Sequence, residues 1–198
     1  MSQNQTTITT SSVSKIAIVT LALIFGFGLF VVGFSTPYLI ADHLGGETIH
    51  FVYCQIVWVG LYLLAANCTG MVTKWLSPDR LIGVCTWAQV VSALLFLSYT
   101  VLAPTLSWQG LLLSLIPYCI AMGLRGGVGF SQAVLAVPSF ETRASALMIF
   151  FSMGLTSLSV ALSALYLDQG LITIVLAQLF LILASWGMLR FIRPSPTT

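Results

Sequence analysis

The sequence predicts an all-α, polytopic membrane protein with six transmembrane helices, and three observations predict it. Hydrophobic residues make up 58% of the 198 residues and charged residues only 6%, whereas a soluble domain carries roughly 25% charged residues. Apolar runs recur along the chain, each near the roughly 20 residues needed to cross about 30 Å of hydrocarbon. Short polar or turn-forming links separate them and hold the charges, apart from Arg125 and from Arg190 at the end of the last run.

The elements follow in order. Residues 1–14, "MSQNQTTITTSSVS", are polar and lack the periodicity of a helix, so they read as a disordered cytoplasmic head before a transmembrane domain over 15–193. The first apolar run, Ile16 to Ile40, is too long for a signal-peptide core and has no basic leader, which predicts an uncleaved signal anchor. Further runs follow at Phe51–Thr73, Leu81–Ala103, Gly110–Val137, Ala144–Leu167 and Leu171–Phe191, with residues 194–198 as a cytoplasmic tail. Gly45-Gly46, Lys74–Arg80, Pro104, Pro138 and Asp168-Gln169-Gly170 punctuate the links, residue types that end helices and make turns.

The placement of cations orients this bundle. With a cytoplasmic N-terminus, the cytoplasmic segments hold Lys15, Lys74, Arg80, Arg143, Arg190 and Arg193, and the opposite loops hold Asp42, Glu47 and Asp168 without Lys or Arg. That distribution obeys the positive-inside rule and puts both termini in the cytoplasm. A bacterial inner membrane is the expected location. The net charge of +2 sits in membrane-flanking loops and gives no ground for a nucleic-acid partner; the first partner is the lipid bilayer.

Catalytic and cofactor chemistry finds little footing. Cys54, Cys68, Cys85 and Cys119 show no C-x-x-C spacing and no cluster with His43 or His50, which favours small apolar packing residues over metal or disulfide chemistry. No Ser, Cys or paired carboxylate stands at catalytic spacing from either histidine. "GVGFSQ" has no strand before it and no βαβ unit around it, so it fails as a nucleotide loop. The expectation is a protein that is not an enzyme and carries no cofactor.

Internal repetition is more informative. "VGFST" at 32–36 in the first run returns as "VGFSQ" at 128–132 in the fourth, at a similar distance from the start of its helix, and these two helices run in opposite directions. Three helices followed by an inverted copy of three is a transporter organisation. The loops then carry a resemblance. "GMVTKWLSPDRLI", with Gly70, Lys74 and Arg80, resembles the cytoplasmic loop of the major facilitator superfamily. "IPYCIAMGLRGGVGFSQAVLAVPSFETRASALMIFFSMG", with Pro138, Glu141, Arg143 and Ala144 to Leu147, resembles the C-terminal half of its drug/proton antiporters. "FGFGLFVVGFSTPYLI" is similar to their seventh helix. The resemblance implies one six-helix half of such a transporter, a 3+3 inverted repeat. Ser77 stands where that loop has glycine, and all five carboxylates fall in loops or at helix ends.

In this fold the first and fourth helices face a central cavity and the third and sixth lie outside against lipid. The resemblance therefore implies a substrate-binding set of Tyr38, Gln55, Asn67, Arg125, Ser131 and Gln132. For Gln55 and Asn67 an interhelical hydrogen bond is an equal alternative, and the spacing of Phe27, Phe30 and Phe34 fits packing before it fits an aromatic binding wall. The four glycines of "GLRGGVGF" predict a packing seam or a bend. Arg125, roughly 15 Å from either interface, costs about 2.5–3.5 kcal/mol on insertion scales; it predicts either a structural hydrogen bond or an anion site.

The resulting expectation is a half-size transporter for a small-molecule substrate, pairing as a homodimer or with a separately encoded partner half. The alternatives are a non-transporting membrane subunit, scaffold or receptor derived from a transporter half, and an excised half of a longer transporter.

Overall fold

The computed structural model describes residues 36–103, 105–135, 141–165 and 171–191. The predicted head, tail and aromatic stripe of the first run lie outside them, as does the body of that run before Thr36. Every regular element among the described residues is a helix: α1 over 36–42, α2 Thr48–Val72, α3 Pro78–Leu102, α4 Trp108–Leu135, α5 Glu141–Ala164 and α6 Leu171–Phe191. α2 to α6 occupy nearly the residues that the apolar runs predict. Three of them, α2, α3 and α4 up to Ser131, are long and apolar enough to cross a membrane, and the apolar stretch of α6 over Leu171–Gly187 is shorter.

Local chemistry explains the helix ends. Gly45 has φ +60°, a left-handed conformation that costs a residue without Cβ nothing, and the Gly46 N–H donates to Ile40 O at 2.9 Å to close the turn after α1. α2 then opens with a capping box, in which the Glu47 carboxylate accepts the His50 backbone N–H and His50 Nδ1 accepts the Glu47 N–H at 2.8 Å. At the other end of α2, Ser77 precedes α3, Pro78 occupies its first turn and Asp79 follows. A proline there sacrifices no helical hydrogen bond, and a carboxylate complements the positive end of the helix dipole. Between α3 and α4 the Tyr99 phenol oxygen accepts the Ser107 N–H at 2.7 Å.

α4 is the axis of the bundle. α2 and α3 pack along its length, α3 also packs on α6, and α5 touches α4 more lightly. Two interhelical hydrogen bonds fasten the long contacts: the Trp58 indole donates to Leu112 O at 3.2 Å, and the Ser92 hydroxyl donates to Ser114 O at 2.6 Å. Gly123 sets the closeness of α2 and α4. A Cβ at this position would strike the Tyr62 carbonyl oxygen and stand 2.9 Å from Ala65 Cβ. Gly126 and Gly127 meet nothing nearer than 3.9 Å, so the seam predicted from the glycine cluster rests on Gly123. Pro117 lies within α4 and removes one backbone donor, which membrane helices tolerate where neighbouring groups re-satisfy the freed carbonyl.

The core divides into two apolar clusters. The larger, built on residues such as Trp58, Phe96, Leu115, Tyr118, Ile174 and Ile182, fills the half of the bundle in which His50 stacks on Trp108 with ring centroids 4.6 Å apart. The smaller, Leu81, Ile82, Cys85, Ala121 and Val128, lies toward the basic Lys74–Arg80 turn. Outward faces are apolar as well: Ile56, Leu64, Leu95 and Phe180 are exposed. In water such a surface would aggregate; hydrocarbon solvates it.

Candidate functional site

Arg125 is the centre of the candidate site. It is 2% exposed and points from α4 into the junction with α3 and α6. One guanidinium nitrogen donates to Gln89 Oε1 at 2.7 Å, near the middle of α3, and another donates to Ser185 Oγ at 2.7 Å on α6. Helical side chains lean toward their own N-terminus, so the guanidinium reaches back along α4 toward the bundle centre. The planar fork of five donors suits this geometry, because two acceptors on different helices are met at once. Beside the junction the rings of Trp87 on α3 and Trp186 on α6 meet edge to face at 5.4 Å.

The remaining sequence-predicted residues do not gather around Arg125. Tyr38 on α1 is half-buried, its ring 5.7 Å from that of His43. Gln55 is half-buried on α2. Asn67 is exposed, and its amide donates to Leu63 O at 2.8 Å within its own helix. Ser131 is exposed, and its hydroxyl donates to Gly127 O at 2.8 Å in the same local fashion. Such bonds to the preceding turn satisfy a hydroxyl or amide without a second helix. Gln132 belongs to α4, and its side chain lies outside the described residues.

Three further buried polar residues bear on this junction. Gln89 and Ser185 accept hydrogen bonds from Arg125. Gln178, the polar exception in an α6 otherwise expected to lie against lipid, is fully buried. α3 and α6 have lipid-facing sides, Val91 and Leu95 on one and Leu176 and Phe180 on the other, but their opposite faces carry the polar groups. The usable signal was present: a glutamine in the middle of an apolar span is costly unless buried, and Gln178 and Ser185 stand seven residues apart, two helical turns on one face.

Among the described residues no group of three or more His, Cys, Asp and Glu is placed to hold a metal ion. The four cysteines are free thiols, with Cys54, Cys85 and Cys119 buried and Cys68 exposed. A cation bridging three helices within an apolar bundle can do two things: tie the helices together, and present a positive field to a polar solute that enters.

These features define a class, a protein helical throughout its described residues, with three helices long and apolar enough to cross a membrane and a buried arginine junction between helices. Compared with known proteins, the chain matches no family model, no curated protein and no solved structure.

Proposed function

We propose that the chain is a membrane transporter of the major facilitator type, a half-size protein of six spans in a 3+3 inverted repeat that pairs to form a path for a small molecule. The observation that carries the reading is the Gln89–Arg125–Ser185 junction. Ionisable groups at membrane depth are expensive and mark solute or ion pathways, and this one stands in the glycine-rich helix whose sequence resembles that of the drug/proton antiporters. The partner is a second copy or a separately encoded half. The location is a bacterial inner membrane with both termini cytoplasmic, as the loop cations direct.

A specific observation favours a second reading, a non-transporting membrane subunit derived from such a half. Arg125 is bonded by neutral side chains of its own chain, and Asn67 and Ser131 are bonded to their own helices, an arrangement that serves folding without a substrate. Proteoliposomes containing only this chain decide between the two. Saturable, protein-dependent uptake of ethidium or of small radiolabelled organic anions supports the transporter. Absence of uptake with every probe, together with a membrane partner that co-purifies in fixed stoichiometry, supports the subunit.

A further inference from the structure

Most of the buried polar side chains among the described residues lie where α3, α4 and α6 meet: α3 contributes Thr86, Gln89, Ser92 and Thr100, α6 contributes Gln178 and Ser185, and α4 contributes Arg125, with Thr36 apart on α1. Most are satisfied in place: Ser92 by Ser114 O, Thr100 by Phe96 O, and Gln89 Oε1 and Ser185 by Arg125. Gln178 is not: it is fully buried, and among the described residues neither its amide nitrogen nor its oxygen has a hydrogen-bond partner, nor does the buried amide nitrogen of Gln89.

The register of the helices locates Gln178. Arg125 ties Gln89 to Ser185, and the Trp87–Trp186 contact marks the same level. From Ser185, Gln178 lies seven residues toward Leu171, about 10 Å along α6 at 1.5 Å per residue. That half of α6 clusters with Ala93 and Phe96 of α3, so the two helices run antiparallel and Gln178 stands near the level of Phe96. It is also about 10 Å from the start of α6 and about 20 Å from its end at Phe191. Apolar residues pack at both ends, Leu171, Ile174 and Val175 between Gln178 and the His50–Trp108 end and Leu81, Ile82 and Cys85 toward the basic turn, so the shorter distance to the start of α6 selects the first as the entrance.

We propose that the α3/α6 seam is a water-access crevice, entered from the His50–Trp108 end, through which water reaches Gln178 and then the Gln89–Arg125–Ser185 junction when α6 parts from α3. The chemistry of the unpaired atoms selects the ligand. An unsatisfied amide offers two donors and a carbonyl acceptor; an anion answers only the donors and a cation only the carbonyl, whereas water answers both. Gln89, its carbonyl already taken, still needs an acceptor, which water also provides. Hydrocarbon supplies neither, and Gln178 has no exposure to lipid headgroups. The conformation described is the closed one, and the unpaired amide is what hydration relieves on opening. The crevice is independent of the transport reading: it stands in a chain that moves no solute.

The test uses the full chain with its four cysteines replaced and single cysteines introduced at 178, 92, 176 and 180, in membrane vesicles of both orientations. The probe is a cationic, membrane-impermeant methanethiosulfonate. Gln178→Cys should react at least tenfold faster than Leu176→Cys and Phe180→Cys, which lie on the lipid-facing side, with Ser92→Cys also above them. Reaction of Gln178→Cys at the rate of those two overturns the proposal. Hydroxyl-radical footprinting of the unsubstituted chain covers the case in which Gln178→Cys fails to accumulate. Phe96, buried at the level of Gln178, should be oxidised more than lipid-facing Phe180; Phe96 protected at or below the level of Phe180 overturns the proposal equally.

Discussion

Replacing Gly123 with alanine should loosen the α2–α4 contact, and the structure gives the size of the effect. The added methyl group would overlap the Tyr62 carbonyl oxygen and meet Ala65 Cβ at 2.9 Å and the Ala66 nitrogen at 3.1 Å. All three belong to the backbone or to a Cβ of α2, so no rotamer change can clear them and the helices must move apart. Overpacking of this kind costs about 1–3 kcal/mol, against which alanine regains up to about 1 kcal/mol of helix propensity. A net loss of about 1–2 kcal/mol changes the folded-to-unfolded ratio by roughly 5- to 30-fold. Titration with dodecyl sulfate from a mild detergent, followed by helical circular dichroism, reads this as an earlier midpoint. Gly60→Ala is the control, because nothing stands within 4 Å of a Cβ there, and its midpoint should be unchanged or later. A Gly123→Ala midpoint equal to that of Gly60→Ala refutes the close approach.

Other expectations follow from single contacts. Arg125→Ala strips a buried partner from both Gln89 and Ser185 and should lower stability by about 2–4 kcal/mol. Arg125→Lys should recover part of this, since an ammonium lacks the fork that spans two acceptors; the same titration measures both. Trp58→Phe removes the 3.2 Å bond to Leu112 O and should cost about 0.5–1.5 kcal/mol, with no loss if the carbonyl finds another donor. Glu47 and Ser77 flank opposite ends of α2, so single cysteines there should react with an impermeant maleimide from opposite faces of a vesicle; labelling of both from one face contradicts a membrane-crossing α2.

Much of the fold was legible in the sequence because hydrocarbon imposes one requirement on every span, a long apolar run bounded by turn residues. Gly45-Gly46 and Ser77-Pro78 mark their helix ends through backbone properties that hold in any context. The site was less legible. Arg125 announced itself as a charge in an apolar helix, but which side of α4 it takes depends on where α3 and α6 pack. The mean apolarity of α6 concealed its polar inner face, since Gln178 and Ser185 are two residues among some twenty. Asn67 and Ser131 illustrate the converse: both are polar residues in spans, and both are satisfied within one turn of their own helix, which no residue count reveals.

Gln89→Glu separates the two roles open to Arg125. Removing the arginine confounds them, because a lost tie between helices and a lost substrate contact both abolish activity. Glutamate keeps the size of the glutamine and places a carboxylate oxygen where Oε1 now accepts the guanidinium at 2.7 Å. Breaking a buried charge pair is costly, but completing one with good geometry joins a charge-assisted hydrogen bond to mutual attraction, so the bundle should remain at least as stable. If Arg125 serves only to tie α3, α4 and α6 together, Gln89→Glu should leave both the detergent midpoint and any measured flux or partner binding intact. If Arg125 must present its positive field to an anionic solute, the internal carboxylate cancels that field, and flux should fall at least tenfold while the midpoint holds. A variant that keeps full flux ends the anion-site reading of Arg125 without disturbing its place in the fold.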